Sequence, residues 1–174
     1  MGQGTPTMTD ADLIKLALDD VRARQKALLD LILFQDQQAM GLLRLYVTLG
    51  LAAASGAVAV LLGPSTFPFA LGISLLAAVA PLFAGAVYCF RAAQAASVGF
   101  PGLHPSFWKW ASDPQIEPAD MRDAYLNQLS TSMDLNHDLN DRLGGLIKIA
   151  KLCGGVSPIV TLIAGLIAYG LTVN

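Results

Sequence analysis

Charge is missing from this sequence where a soluble domain would need it. Not one Asp, Glu, Lys or Arg lies between Arg44 and Arg91, and none follows Lys151. Only 14% of the 174 residues are charged and 54% are hydrophobic, whereas soluble domains carry about 25% charged residues. The net charge of −2 argues against nucleic acid as a partner, because phosphate binding needs a clustered basic face. Metal-binding and redox residues are scarce too. Cys89 and Cys153 are the only cysteines; one pair makes no disulfide framework, and each reads as a small apolar residue at the edge of an apolar segment. His104 and His137 have no second ligand at metal spacing, and a solvated or capping role is expected for His137. There is no glycine-rich phosphate loop, no Gly-x-Ser-x-Gly and no zinc spacing. The acidic residues are scattered over polar segments, as on a solvated face. No enzyme activity, catalytic residue, bound metal or cofactor is therefore expected. The acidic start, Met1–Asp10, has neither a basic stretch nor an early apolar core, so no cleavable signal peptide is expected. Pro6 also stands where a myristoylation motif wants Ser or Thr.

What is present is apolar length. About 20 apolar residues cross the ~30 Å of bilayer hydrocarbon, whereas buried helices of soluble proteins rarely run so long without a charge. The uncharged stretch after Arg44 is interrupted by Gly63-Pro64-Ser65-Thr66-Phe67-Pro68, a turn signal. It therefore predicts a hairpin of two spans, at about 45–62 and 69–90. Pro81 is expected to kink the second, which membrane helices tolerate. A third span is expected over 152–173, with Pro158 marking where its helix restarts.

The basic residues fix the expected orientation. All lie in Met1–Arg44 or Arg91–Lys151, with Arg44, Arg91, Lys148 and Lys151 close to span ends. The positive-inside rule then places the N-terminus and the central segment in the cytoplasm and the C-terminus outside. The expected fold is an all-α membrane protein with three transmembrane helices. A cytoplasmic bundle is formed by an N-terminal helix and a long helix preceding the third span. The chain divides into a cytoplasmic N-terminal helix (1–44), a transmembrane hairpin (45–90), a cytoplasmic loop and amphipathic helix (91–151), and the third span with a short external tail (152–174).

Thr9 as N-cap and Asp12 three residues on open the N-terminal helix in the manner of a capping box. Ile14, Leu18, Val21, Gln25, Leu28, Ile32, Gln35, Ala39, Leu42 and Tyr46 then alternate steps of four and three, the signature of a coiled-coil seam. Gln25 and Gln35 are its polar insertions, suited to fixing register or oligomer state. No glycine or proline interrupts Asp10–Met40, so helix and first span are expected to form one rod. The prolines and glycines of Ala92–Asp113 predict an irregular segment. After Pro118 a helix is expected to about Lys151, its stripe passing through Met121, Tyr125, Leu129, Asn136, Leu139, Leu143 and Leu146.

Four groups of residues are candidates for function. Gln35, Asp36 and Gln38, just before the first span, would line a cytoplasmic vestibule if several subunits assembled. Phe100, Phe107, Trp108 and Trp110 suit the headgroup layer, where amphipathic rings collect. Gly144, Gly145, Gly154 and Gly155 flank the entry to the third span and suggest a flexible joint, or else close packing. Gly50 with Ala54, and Ala164 with Ala168, have the small-xxx-small spacing that lets helices approach, within a chain or between chains. No ionisable residue lies inside a span, which argues against a proton relay or charged-substrate path. Transport is also disfavoured by the lack of an internal repeat.

The layout as a whole resembles the transmembrane effectors of bacterial Pycsar antiphage systems and, more loosely, SLATT-type membrane proteins. Local similarity lies in Asp36-Gln37-Gln38-Ala39, with Gln38 where those proteins carry Lys, and in Pro101-Gly102-Leu103-His104-Pro105-Ser106-Phe107-Trp108. The resemblance implies an oligomeric, pore-forming effector of the bacterial inner membrane that perturbs or permeabilises the bilayer in antiviral defence. Its partners would be the lipid bilayer, further copies of itself and a soluble cytoplasmic signalling partner, but no nucleic acid. A membrane-anchored scaffold, recruiting a soluble partner through its helical bundle, is the alternative that the same layout allows.

Overall fold

The computed structural model describes residues 10–63, 67–94 and 104–173. Within these residues every regular element is helical: α1 (Asp10–Leu62), α2 (Phe69–Ala93), α3 (Pro105–Ala111) and α4 (Pro118–Val173). Three of them, α1, α2 and α4, are long and apolar enough to cross a membrane, with mean hydropathy of 2.1, 2.1 and 1.9 in their most apolar stretches. The N-cap expected at Thr9 and the aromatic ring of Phe100 lie outside the described residues.

The expected single rod is present. α1 runs for 53 residues from the charged N-terminal segment through the first apolar run. Its burial follows the seam: Leu18, Val21, Leu28, Gln35 and Leu42 are partly covered, and Gln25, Ile32, Ala39 and Tyr46 are buried. The four buried positions are seven residues apart, as in a coiled coil. The stripe of α4 is covered too: Leu129, Asn136, Leu139 and Leu143 are buried and Met121, Tyr125 and Leu146 partly so, and Ala150, beyond the expected stripe, continues the seven-residue spacing.

Two expectations need correction. The segment Ala92–Asp113 was expected to be irregular, yet it contains α3. Pro105 sits in the first turn of α3, where its missing N–H costs nothing. Before it, His104 caps the helix: its Nδ1 accepts from the Ser106 amide at 3.3 Å and lies 2.8 Å from the Ser106 hydroxyl. At the other end, the Ser112 amide donates to the Trp108 carbonyl at 3.1 Å. The second correction concerns the third span. α4 does not restart at Pro158 but runs unbroken from Pro118 to Val173, through both glycine pairs and the proline. Proline removes one backbone donor, and here the turns on both sides are held. The Ser157 hydroxyl reaches the Ala78 carbonyl at 3.5 Å, and the Thr161 hydroxyl donates to the Ser157 carbonyl at 2.7 Å. α2 likewise continues through Pro81.

The chain forms two compact units, Met1–Ile32 with Ser97–Asn140, and Leu33–Ala96 with Asp141–Asn174. In the first, the start of α1 packs with α3 and the start of α4. In the second, α1 and α4 run parallel and α2 runs against both. Along α1 and α2, Gly50 faces Phe83, Gly56 faces Leu75, and Gly72 faces Leu61. The core of this unit is Tyr46, Ala78, Leu82, Ala86, Cys89 and Ala150. Small side chains let three backbones converge on one tyrosine, the packing mode expected where lipid supplies no hydrophobic drive between helices.

Candidate functional site

The first unit holds a cleft of about 300 Å³ lined by Leu18, Arg22, Phe107, Trp108, Met121, Arg122 and Tyr125. α3 builds one wall. Phe107 and Trp108 meet edge to face at 5.4 Å between ring centres, and their centres lie 6.3 and 6.4 Å from that of Tyr125 on α4. Trp110 stacks obliquely on Phe107 at 5.4 Å. Arg22 of α1 donates to the Tyr125 hydroxyl at 3.4 Å. That hydrogen bond raises the guanidinium's pKa from its ordinary value, and arginine is a cation at physiological pH in any case. Arg122 pairs with its neighbour Asp123 at 3.2 Å. Of the four aromatic side chains expected at the headgroup layer, Phe107 and Trp108 thus meet Tyr125 and Trp110 meets Phe107, with Trp108 and Trp110 still well exposed.

A second groove of the same unit, about 270 Å³, is lined by Val21, Arg24, Leu126, Leu129, Ser130, Met133 and Asp134. It mixes apolar floor with charges of both signs. Beneath these surfaces lies a polar seam. Gln25 is 1% and Asn136 0% exposed, and the Gln25 amide nitrogen has no hydrogen-bond partner. An unsatisfied buried polar group costs about 1–3 kcal/mol. Gln25→Met keeps the length of the side chain and removes that group, so it should raise the unfolding free energy by about 1 kcal/mol. Thermal melting in detergent checks this; an unchanged or lower melting point would mean that the amide has a partner after all.

In the second unit, the sequence candidates are split between roles. Gln38 accepts from Lys151 at 3.3 Å, and Gln35 faces Gly144 with its carbonyl oxygen buried and without a hydrogen-bond partner. Asp36 alone of the three is exposed. Gly50 and Ala168 are buried, and Ala54 and Ala164 partly so. Gly154 packs directly on Tyr46, whereas nothing approaches Gly145 or Gly155. Tyr46 itself donates its hydroxyl to the Ala150 carbonyl at 3.0 Å. Among the described residues, no three His, Cys, Asp or Glu side chains gather as metal ligands would.

No family model, curated protein or solved structure matches the chain.

Sequence reasoning did not single out Arg22, Arg122 or Met121 as functional, nor Tyr46 as the point where three helices meet. Leu18, Met121, Tyr125 and Tyr46 were visible as stripe or seam residues. The cleft itself needs α3, and the signal for α3 was the Pro105-Ser106 start followed by Phe107-Trp108-Lys109-Trp110.

Proposed function

We propose that the protein is an oligomeric membrane effector of the Pycsar type, perturbing or permeabilising the bacterial inner membrane in antiphage defence. The observation that supports this reading most is the continuity of α1 and α4. Each begins in a charged, seamed half and ends in an apolar half without a break. A rearrangement of the charged halves would therefore be delivered directly to two spans. The small residues Gly50, Gly154 and Gly165 already face Phe83, Tyr46 and Ser74 of the same chain. Association between copies would instead use the exposed apolar surface of α4, such as Ile159, Leu162 and Leu166. Asp36, exposed beside the first span, would then be the vestibule residue that repeats around the assembly.

Inducible expression with a membrane-potential dye tests this. Depolarisation and arrested growth, at rest or on phage challenge, are expected. Normal potential and growth in both conditions would sink it. The mixed groove between Val21, Arg24, Leu126 and Asp134 favours the second reading, a membrane-anchored scaffold for a soluble partner. A partner that stays with the detergent-solubilised protein and is lost on Arg24→Glu, in cells whose potential is unchanged, would be its signature.

A further inference from the structure

We propose that the cleft of the first unit is a binding site for a small planar aromatic monoanion, such as a bicyclic aromatic carboxylate. Its walls are flat rings, Phe107, Trp108 and Tyr125, with Leu18 and Met121 completing an apolar interior. Rings at these separations present faces and edges to a guest ring in the offset or edge-on arrangements that aromatics prefer. Met121, unbranched and polarizable, adapts to the guest's outline. The volume, about 300 Å³, sits at the small end of ligand pockets, roughly 300–1,000 Å³. It suits one or two fused rings and is too short for a helical peptide.

Charge selects the class. Among the described residues, the charged side chains that line the cleft are Arg22 and Arg122, with Asp19 beside the first and Asp123 paired to the second. Arg22 stands on α1 and Arg122 on α4, so a carboxylate at the rim meets guanidinium donors from two helices. The hydrogen bond to the Tyr125 hydroxyl ties Arg22 to a residue of the cleft wall. Arg122 engages Asp123 through its Nε atom, which turns the rest of its fork to other acceptors. A cationic guest would meet two guanidinium groups and gain no charge-assisted hydrogen bond from either. A neutral aromatic would fill the space and forgo the charge-assisted hydrogen bonds, which are roughly twice as strong as neutral ones. The site stands on this geometry whether or not the protein permeabilises a bilayer.

The test uses the full chain in phosphatidylcholine nanodiscs, where no anionic headgroup competes, with calorimetric titration of 1-naphthoate and its neutral isostere 1-naphthamide. Saturable binding of naphthoate is expected, with naphthamide at least about tenfold weaker, a difference of one charge-assisted contact. Arg22→Gln and Arg122→Gln should each weaken naphthoate about tenfold and leave naphthamide unchanged. Trp108→Ala should weaken both guests. Arg24→Gln, on the same helix but outside the cleft, should change neither. Equal affinity for the two guests, heat no greater than that of empty nanodiscs, or an Arg24→Gln effect as large as that of Arg22→Gln would each overturn the proposal.

Discussion

Gly154→Leu is expected to unfold the second unit, while Gly155→Leu, one residue along, leaves it intact. The contrast follows from Tyr46. Its ring is buried, its hydroxyl donates to the Ala150 carbonyl, and its edges face glycines on two other helices. A methyl group built on Gly85 would lie 2.9 Å from the ring, and one on Gly154 would meet the hydroxyl and lie 2.9 Å from two ring carbons. The ring is rigid and tied at its far end, so neither clash is relieved by a rotamer change. Overpacking of this kind costs typically about 1–3 kcal/mol, occasionally more, for added methylenes, and leucine adds a whole branched side chain. At Gly155 nothing lies within 4 Å. There the substitution gains up to about 1 kcal/mol of helix propensity. Unfolding by heat or dodecyl sulfate reads the difference, expected to exceed about 3 kcal/mol between the two variants. Tyr46→Ala should make Gly154→Leu far less harmful in the double mutant, because the two side chains compete for one space. Additive effects, or equal melting of the Gly154→Leu and Gly155→Leu proteins, would show that the glycine serves backbone bending rather than close approach.

The same residues show what was legible beforehand. The seam from Leu18 to Tyr46 could be read from spacing alone, because a helix repeats every 3.6 residues whatever it packs against. The three apolar runs were legible for a similar reason: charge is excluded by the solvent around the helix, not by a particular partner. Tyr46 was legible as a seam residue but not as a meeting point, since Gly85 and Gly154 are remote from it in sequence. The unbroken course of α4 was hidden by local propensity. Four glycines and Pro158 each disfavour helix in isolation, yet contacts such as Gly154 with Tyr46 and Gly165 with Ser74 reward continuity. The cleft was least legible of all. It depends on a seven-residue helix in a segment whose prolines and glycines spoke only of turns. Of the expected site residues, Phe107 and Trp108 do line a cavity, and the partners that give it chemical character, Arg22 and Arg122, lie on two other helices.

A reporter enzyme should settle orientation with an all-or-none signal. In the second unit α1 and α4 are parallel: Tyr46 meets Ala150, and Gln38 meets Lys151. α2 is antiparallel to α4, as Ser157 meets Ala78 and Gly165 meets Ser74. One end of this bundle therefore collects Arg44, Arg91, Lys148 and Lys151, all exposed. The other end, with Gly63, Pro68 and Leu171, holds no Lys or Arg. Short basic flanks are retained on the cytoplasmic side, where they set the direction of insertion. Alkaline phosphatase fused after Val173 should accordingly be active and green fluorescent protein at the same point dark, with the reverse for fusions at Asp113, between α3 and α4. Replacing Arg44, Arg91, Lys148 and Lys151 together by Gln should cost the packing no more than the exposed hydrogen bond from Lys151 to Gln38, since these side chains lie on the surface. It should nevertheless make the C-terminal reporter signal mixed, because the insertion bias is gone while the apolar spans remain. An active phosphatase at Asp113 in the unaltered chain would overturn this orientation.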